Sequence, residues 1–178
     1  MTGRKIKLPL IAGALALSAG CANATAAGEA GGDVAALRAA LEDEYKAEAT
    51  YAAVIAAFGE VRPFINIIEA ERRHAAQVRV QMDRLGISHD RTNPFLGTLK
   101  APATVLAACE QGVEAEIENI ALYDQLLPTI IDPQVRETLT NLQEASRDRH
   151  LPAFERCVAR GGQMGGGPSR GAGRRGSR

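Results

Sequence analysis

The sequence predicts an all-α fold, an antiparallel four-helix bundle built from two helical hairpins joined by a longer crossover loop. Three observations predict it. Apolar residues recur at alternating spacings of three and four through four separate stretches, the repeat of a helix face and not the alternation of a strand. Gly and Pro cluster between those stretches. Ala, Leu, Glu and Arg are abundant, aromatic residues make up 4% and Trp is absent, a composition that favours helix over a β-sandwich.

The elements follow in order. Residues 1–24 read as a secretory signal. Arg4-Lys5-Ile6-Lys7 is a positive start, Leu8 to Ala19 an apolar run too short to span a bilayer, and Ala22-Asn23-Ala24 a small-x-small cleavage site. Ser18-Ala19-Gly20-Cys21 offers a rival, a lipoprotein box in which Cys21 is lipidated and anchors the chain to a membrane. The Leu expected three residues before that Cys is displaced to Leu17. Either way the protein is expected to be exported, to the periplasm or cell envelope.

Residues 25–32 read as a small-residue linker, and Asp33 as the N-cap of the first helix. Val34, Leu37, Leu41, Glu44, Glu48, Tyr51, Ile55 and Phe58 form one face of that helix, and Gly59 ends it. Pro63 opens the second, whose stripe is Phe64, Ile67, Glu71, His74, Val78, Met82 and Leu85 before Gly86. Ser88 to Pro102 is the polar crossover loop, in which His89 is expected to be exposed. The third helix runs from about Ala103 to Leu127 with Val105, Cys109, Val113, Glu116, Ile120 and Tyr123 inward. The fourth carries Val135, Leu139, Leu142, Ser146, His150, Ala153 and Cys157, with a kink expected at Pro152. The folded domain is therefore 33–161, and 162–178 is a Gly/Arg-rich tail expected to be disordered.

Charge is segregated. The sequence has 21 basic and 21 acidic residues. Arg4, Lys5 and Lys7 lie in the presumed signal and Arg170, Arg174, Arg175 and Arg178 in the tail, which leaves the middle of the chain with 14 basic against 21 acidic residues, a net charge of about −7. Such a domain suits cations and argues against nucleic acid as a partner.

Carboxylates on the apolar stripes carry the chemistry. Glu44, Glu71 and Glu116 stand where Leu is expected. A buried carboxylate costs several kcal/mol without a positive counterpart, and a bound metal ion would supply one. Glu71-x-x-His74 sets both side chains on one face, a turn apart. The halves also repeat. Glu44 precedes Tyr51 by seven residues and Glu116 precedes Tyr123 by seven, with His74 and His150 following in the respective halves.

These residues resemble a family. Glu44-x6-Tyr51, Pro63-Phe64-x-Asn66-Ile67-x-x-x-Glu71-x-x-His74 and Glu116-x6-Tyr123 are similar to the ferritin-like superfamily, rubrerythrin-related. Within it they look like a bacterial branch carried as a domain of unknown function. Leu85-Gly86-Ile87 and His150-Leu151 with Ala153-Phe154 are further echoes, and the resemblance covers about Asp33 to Gly161. It implies a di-metal carboxylate site. Glu44, Glu71, His74, Glu116 and His150 match five of its six ligands, while Arg147 stands where the sixth, a Glu, belongs. Arg147 is then a rival cation that fills the cluster, or Glu48 or Glu144 substitutes as a ligand. Tyr51 and Tyr123 are expected to bond buried carboxylates. Oxygen and nitrogen ligands suit iron or manganese, and zinc is compatible.

In an antiparallel hairpin, residues at one level share a constant index sum. Cys109 with Cys157 and Glu116 with His150 both give 266, so a disulfide and the ligand pair demand the same register. Export favours that bridge, with two buried free thiols as the alternative. The function expected is an exported metal-binding protein with iron-oxidising or peroxide- or oxygen-linked redox activity. The alternative is a metal-free envelope module in which Arg147 replaces the metal charge. A homo-oligomer stays open, and no feature speaks for a storage shell.

Overall fold

The computed structural model describes residues 21–163; the signal, apart from its last residues, and the tail beyond Gln163 lie outside them. It is an all-helical bundle. The helices are α1 (Cys21–Phe58), α2 (Phe64–Arg84), α3 (Val105–Leu126), α4 (Pro133–Ala145) and α5 (Leu151–Ala159). A 3-10 turn, Leu127–Thr129, follows α3, and a π-helical turn, Ser146–His150, links α4 to α5. Together α4, the π turn and α5 make one continuous fourth helix, and no strand occurs among the described residues. No helix among them is long and apolar enough to cross a membrane.

The core is two apolar clusters. One joins Leu37, Leu41, Val78, Met82, Tyr123, Leu139 and Leu142; the other joins Tyr51, Val54, Phe64, Ile67, Phe154 and the two cysteines. Each large side chain so buried contributes about 1.5–3 kcal/mol. On every helical rod Glu44, Glu71 with His74, Glu116 or His150 falls, in chain order, between residues of one cluster and residues of the other. Two greasy ends thus enclose a polar middle. Tyr51, Phe64 and Phe154 form an aromatic trio with centroids 5.2–5.7 Å apart. A Cβ on Gly112 would come within 2.5 Å of the Phe154 ring, so only glycine lets α3 approach so closely.

Cys109 and Cys157 form the expected disulfide, with Cα atoms 5.9 Å apart. It fastens the start of α3 to the end of the fourth helix.

Helix ends obey local chemistry. Thr104 Oγ1 accepts from the Ala107 amide at 3.1 Å, and Asp132 Oδ1 accepts from Gln134 and Val135. Gly86, with φ of 68°, closes α2, and the Ile87 amide reaches back to the Met82 carbonyl at 2.8 Å.

Two expectations are corrected. Among the described residues the first helix already runs from Cys21 and not from Asp33, so residues 25–32 continue the helix, with no Pro to stop it. Asp33 caps a different segment. It is buried and accepts from the Ile131 and Asp132 amides, tying α1 to the turn before α4. The side chain of His89 is only 3% exposed, its Nε2 3.0 Å from Asp83 Oδ1: the loop folds back onto the end of α2.

Candidate metal centre

Each of the four helical rods delivers to one point. Glu44 comes from α1, Glu71 and His74 from α2, Glu116 from α3 and His150 from the π turn. Their exposure lies between 1% and 8%, so these ionisable groups have almost no water to solvate them. His74 Nδ1 lies 3.3 Å from Glu44 Oε2 and 3.2 Å from Glu71 Oε2. His150 Nδ1 lies 3.1 Å from Glu71 Oε1 and 3.6 Å from Glu116 Oε2. Two triads result, Glu44–Glu71–His74 and Glu71–Glu116–His150, each with its ligating atoms within 4.8 Å of one another. Glu71 belongs to both, one oxygen facing each histidine.

The outer carboxylates are held from across the bundle. Tyr51 on α1 donates to Glu116 Oε1 at 2.7 Å, and Tyr123 on α3 donates to Glu44 Oε1 at 2.6 Å. Each tyrosine occupies one oxygen and leaves Oε2 toward a histidine. Burial, then the adjacent carboxylates, pushes both phenols well above their ordinary range, so they remain donors.

Protonation balances the cluster. Burial drives the Glu44 carboxyl up to about 8, with Glu71 adding to the rise. Burial also opposes ionisation of Glu71, but the imidazoles of His150 and His74 beside it and the Glu44 carboxyl outweigh burial and hold the group at about 2. Burial disfavours charge on the imidazoles too, yet the carboxylates win: Glu44 and Glu71 raise His74 to about 10, and Glu116 and Glu71 raise His150 to about 9. At neutral pH, protons supply the positive charge.

The donor set fits a metal ion. His150 Nδ1 is buried and makes no hydrogen bond of acceptable geometry, although two carboxylate oxygens flank it. Such an atom calls for a further partner, and a cation between nitrogen and oxygens would serve. The set is hard oxygen plus imidazole, without thiolate, which suits iron, manganese or zinc.

Three expected members stand elsewhere. Arg147 is exposed, its Nε 3.3 Å from Asp148 Oδ1; it does not fill the cluster. Glu144 is exposed as well. Glu48 is buried but accepts from Arg72 at 3.0 Å and Asn93 at 2.9 Å, anchoring the loop after α2. The π turn explains Arg147. The Leu151 amide bonds back to the Ser146 carbonyl, five residues away, and Pro152 has no amide to continue an α-helical ladder. One wide turn before His150 therefore stands Ser146, which is buried, and Arg147 is displaced outward.

Sequence reasoning missed Asp43 and Asn119. Asn119 Nδ2 donates to Asp43 Oδ2 at 2.5 Å, while Asn119 Oδ1 is buried without a partner. Burial raises the Asp43 carboxyl. Both line a cavity of about 150 Å³ between α1 and α3 that reaches Glu71 and Glu116. The signal was present: Glu116-x-x-Asn119 repeats the spacing of Glu71-x-x-His74.

Fold and site together define a helical bundle with a buried carboxylate–histidine cluster. No protein-family model and no curated protein sequence matches the chain. The fold is similar to the crystal structure of hypothetical protein MJ0754 from Methanococcus jannaschii DSM 2661, with a TM-score of 0.65. That likeness covers 74% of this chain and 82% of the other at 19% identity, and so concerns the fold alone.

Proposed function

We propose that this is an exported, ferritin-like metal-binding protein in which Glu44, Glu71, His74, Glu116 and His150 hold iron or manganese at a partial di-metal site. The observation that carries this reading is Glu71, whose two oxygens face the Nδ1 atoms of two different histidines. An antiparallel arrangement of two helical hairpins belongs to the same reading. It is supported by the order of core residues, which reverses from α1 to α2 and again from α3 to the fourth helix. The Cys109–Cys157 bridge supports an oxidising, extracytoplasmic location.

Iron or manganese held by such ligands supplies one-electron redox chemistry toward oxygen or peroxide. The protein's own groups prepare the place. Tyr51 and Tyr123 fix the outer carboxylates, and the apolar clusters at both ends exclude water. Glu44, His74 and His150 carry protons that a cation must displace. Asp43 and Asn119 present oxygens on the α1/α3 side, where a cation can shed water stepwise.

Cobalt(II) titration of the metal-free mature domain in weak buffer tests this. The expected result is saturable visible absorption, proton release in step with binding, and loss of both on replacing Glu71 and His74 together with Ala. Absorption unaffected by that double replacement would contradict the reading.

A further inference from the structure

The cluster has a second side. Between α2 and the fourth helix lies a cavity of about 320 Å³ lined by Arg73, His74, Gln77, Asn141, Arg149 and His150. Its lining contrasts with that of the α1/α3 cavity, where Asp43, Glu71, Glu116 and Glu118 stand against one basic residue, Lys46. Here no carboxylate lines the wall, and every polar side chain can donate a hydrogen bond.

The imidazoles form the inner wall of this cavity. Both turn Nδ1 toward the carboxylates, which leaves the Nε2 edges for the groove. Their rings stack at 5.5 Å with an interplanar angle of 20°, so the two edges run side by side. Neither Nε2 has a hydrogen-bond partner among the described residues, and neither is sealed from solvent, so both edges are open to a ligand in the groove. A buried His–metal centre ordinarily closes that edge with a carboxylate or carbonyl of its own chain. This chain instead flanks it with Arg73 and Arg149, neither of which forms an ion pair among the described residues. Their sequence neighbours do: Arg72 pairs with Glu48 and Glu69, and Arg147 with Asp148.

We propose that the groove between α2 and the fourth helix binds a phosphate-sized oxyanion, held by the Arg73 and Arg149 guanidiniums beside the Nε2 edges of His74 and His150. The two guanidiniums carry the positive charge that an oxyanion needs, and the stacked imidazoles close the inner wall of the same cavity. The guanidinium fork matches tetrahedral oxyanions. The site therefore stands independently of metal loading. The oxyanion is either a free ion or the phosphate of an anionic lipid headgroup, which present the same chemistry.

The experiment titrates inorganic phosphate into the metal-free mature domain and follows the His74 and His150 ring nitrogens by NMR. A parallel arm measures co-sedimentation with phosphatidylglycerol vesicles. Saturable shifts of both rings, weakened at least about tenfold by Arg73→Ala with Arg149→Ala and unchanged by Arg147→Ala, support the proposal with a free ion as ligand. Sedimentation with vesicles that is lost in the same double variant supports the headgroup source. Paired lysine replacements at 73 and 149 should restore part of the affinity if charge is what matters. Shifts and sedimentation that are absent, or equal in the double variant and the parent, overturn the proposal. Because no metal is added, that outcome leaves the cobalt result untouched.

Discussion

The two triads look alike and are built differently. In the first, Glu71 and His74 come from one α-helical turn, so a single helix presents a carboxylate and an imidazole in fixed relation. In the second, the turn before His150 is π-helical and brings Ser146 inward, so the imidazole arrives without a carboxylate from its own helix. It uses Glu71 from across the bundle at 3.1 Å. One carboxylate thus faces both imidazoles. The duplicated pattern of Glu, Tyr and His is thus an incomplete symmetry, broken by one wide turn next to Pro152.

That asymmetry ranks the expected effects of mutation. Glu71→Gln should be the largest, abolishing cation binding at both half-sites. Its loss should exceed the about 10–100-fold typical of removing an outer partner of a metal ligand. Glu44→Gln or Glu116→Gln should each remove one half-site only, which isothermal titration with manganese would resolve as a lowered stoichiometry.

Next comes pH. The folded-state values of His74 and His150, about 10 and about 9, lie above the ordinary 6.5. Their stabilisation is fully present below 6.5 and is lost as pH rises through 9 to 10. Glu44, raised from 4.5 to about 8, also makes the metal-free fold weaken as pH climbs across that interval. Glu71, lowered from 4.5 to about 2, contributes stability above 4.5 that is lost on acidification. Denaturation of the metal-free domain should therefore show greatest stability near about pH 4.5, where the gain from Glu71 and the loss from Glu44 balance, and a decline toward pH 10. Metal affinity should move the other way and rise with pH, because each bound cation displaces protons.

Replacing Cys109 and Cys157 with Ser should cost about 2–4 kcal/mol in urea unfolding, affecting the half-site of His150 more than that of His74. Tyr51→Phe should cost about 1–3 kcal/mol by leaving Glu116 Oε1 without its donor, and Tyr123→Phe should do the same to Glu44. Smallest of all, Arg147→Ala should change stability by less than about 0.5 kcal/mol and leave metal affinity unchanged. A large effect there would break the account of the π turn.

Much of this architecture is legible in the amino-acid sequence. The stripes place Glu44, Glu71, Glu116 and both histidines inside because helical register leaves no choice at those spacings, and the shared index sum points to the disulfide. The departures have local causes. Pro152 predicts a kink but not its form, and counting in α-helical turns puts Arg147 on the wrong face. Asp33 has the chemistry of a cap, and sequence alone does not say that its carboxylate instead takes the amides of the turn before α4. Asp43 and Asn119 lie off the apolar stripes, and the cavity that draws them together exists only when α1 lies against α3.

The most direct measurement is elemental analysis of the natively purified mature domain after expression with iron and manganese supplied. The account predicts one to two metal ions per chain, absent when Glu71 and His74 are both replaced by Ala. Less than about 0.2 metal per chain in the unaltered protein would contradict it.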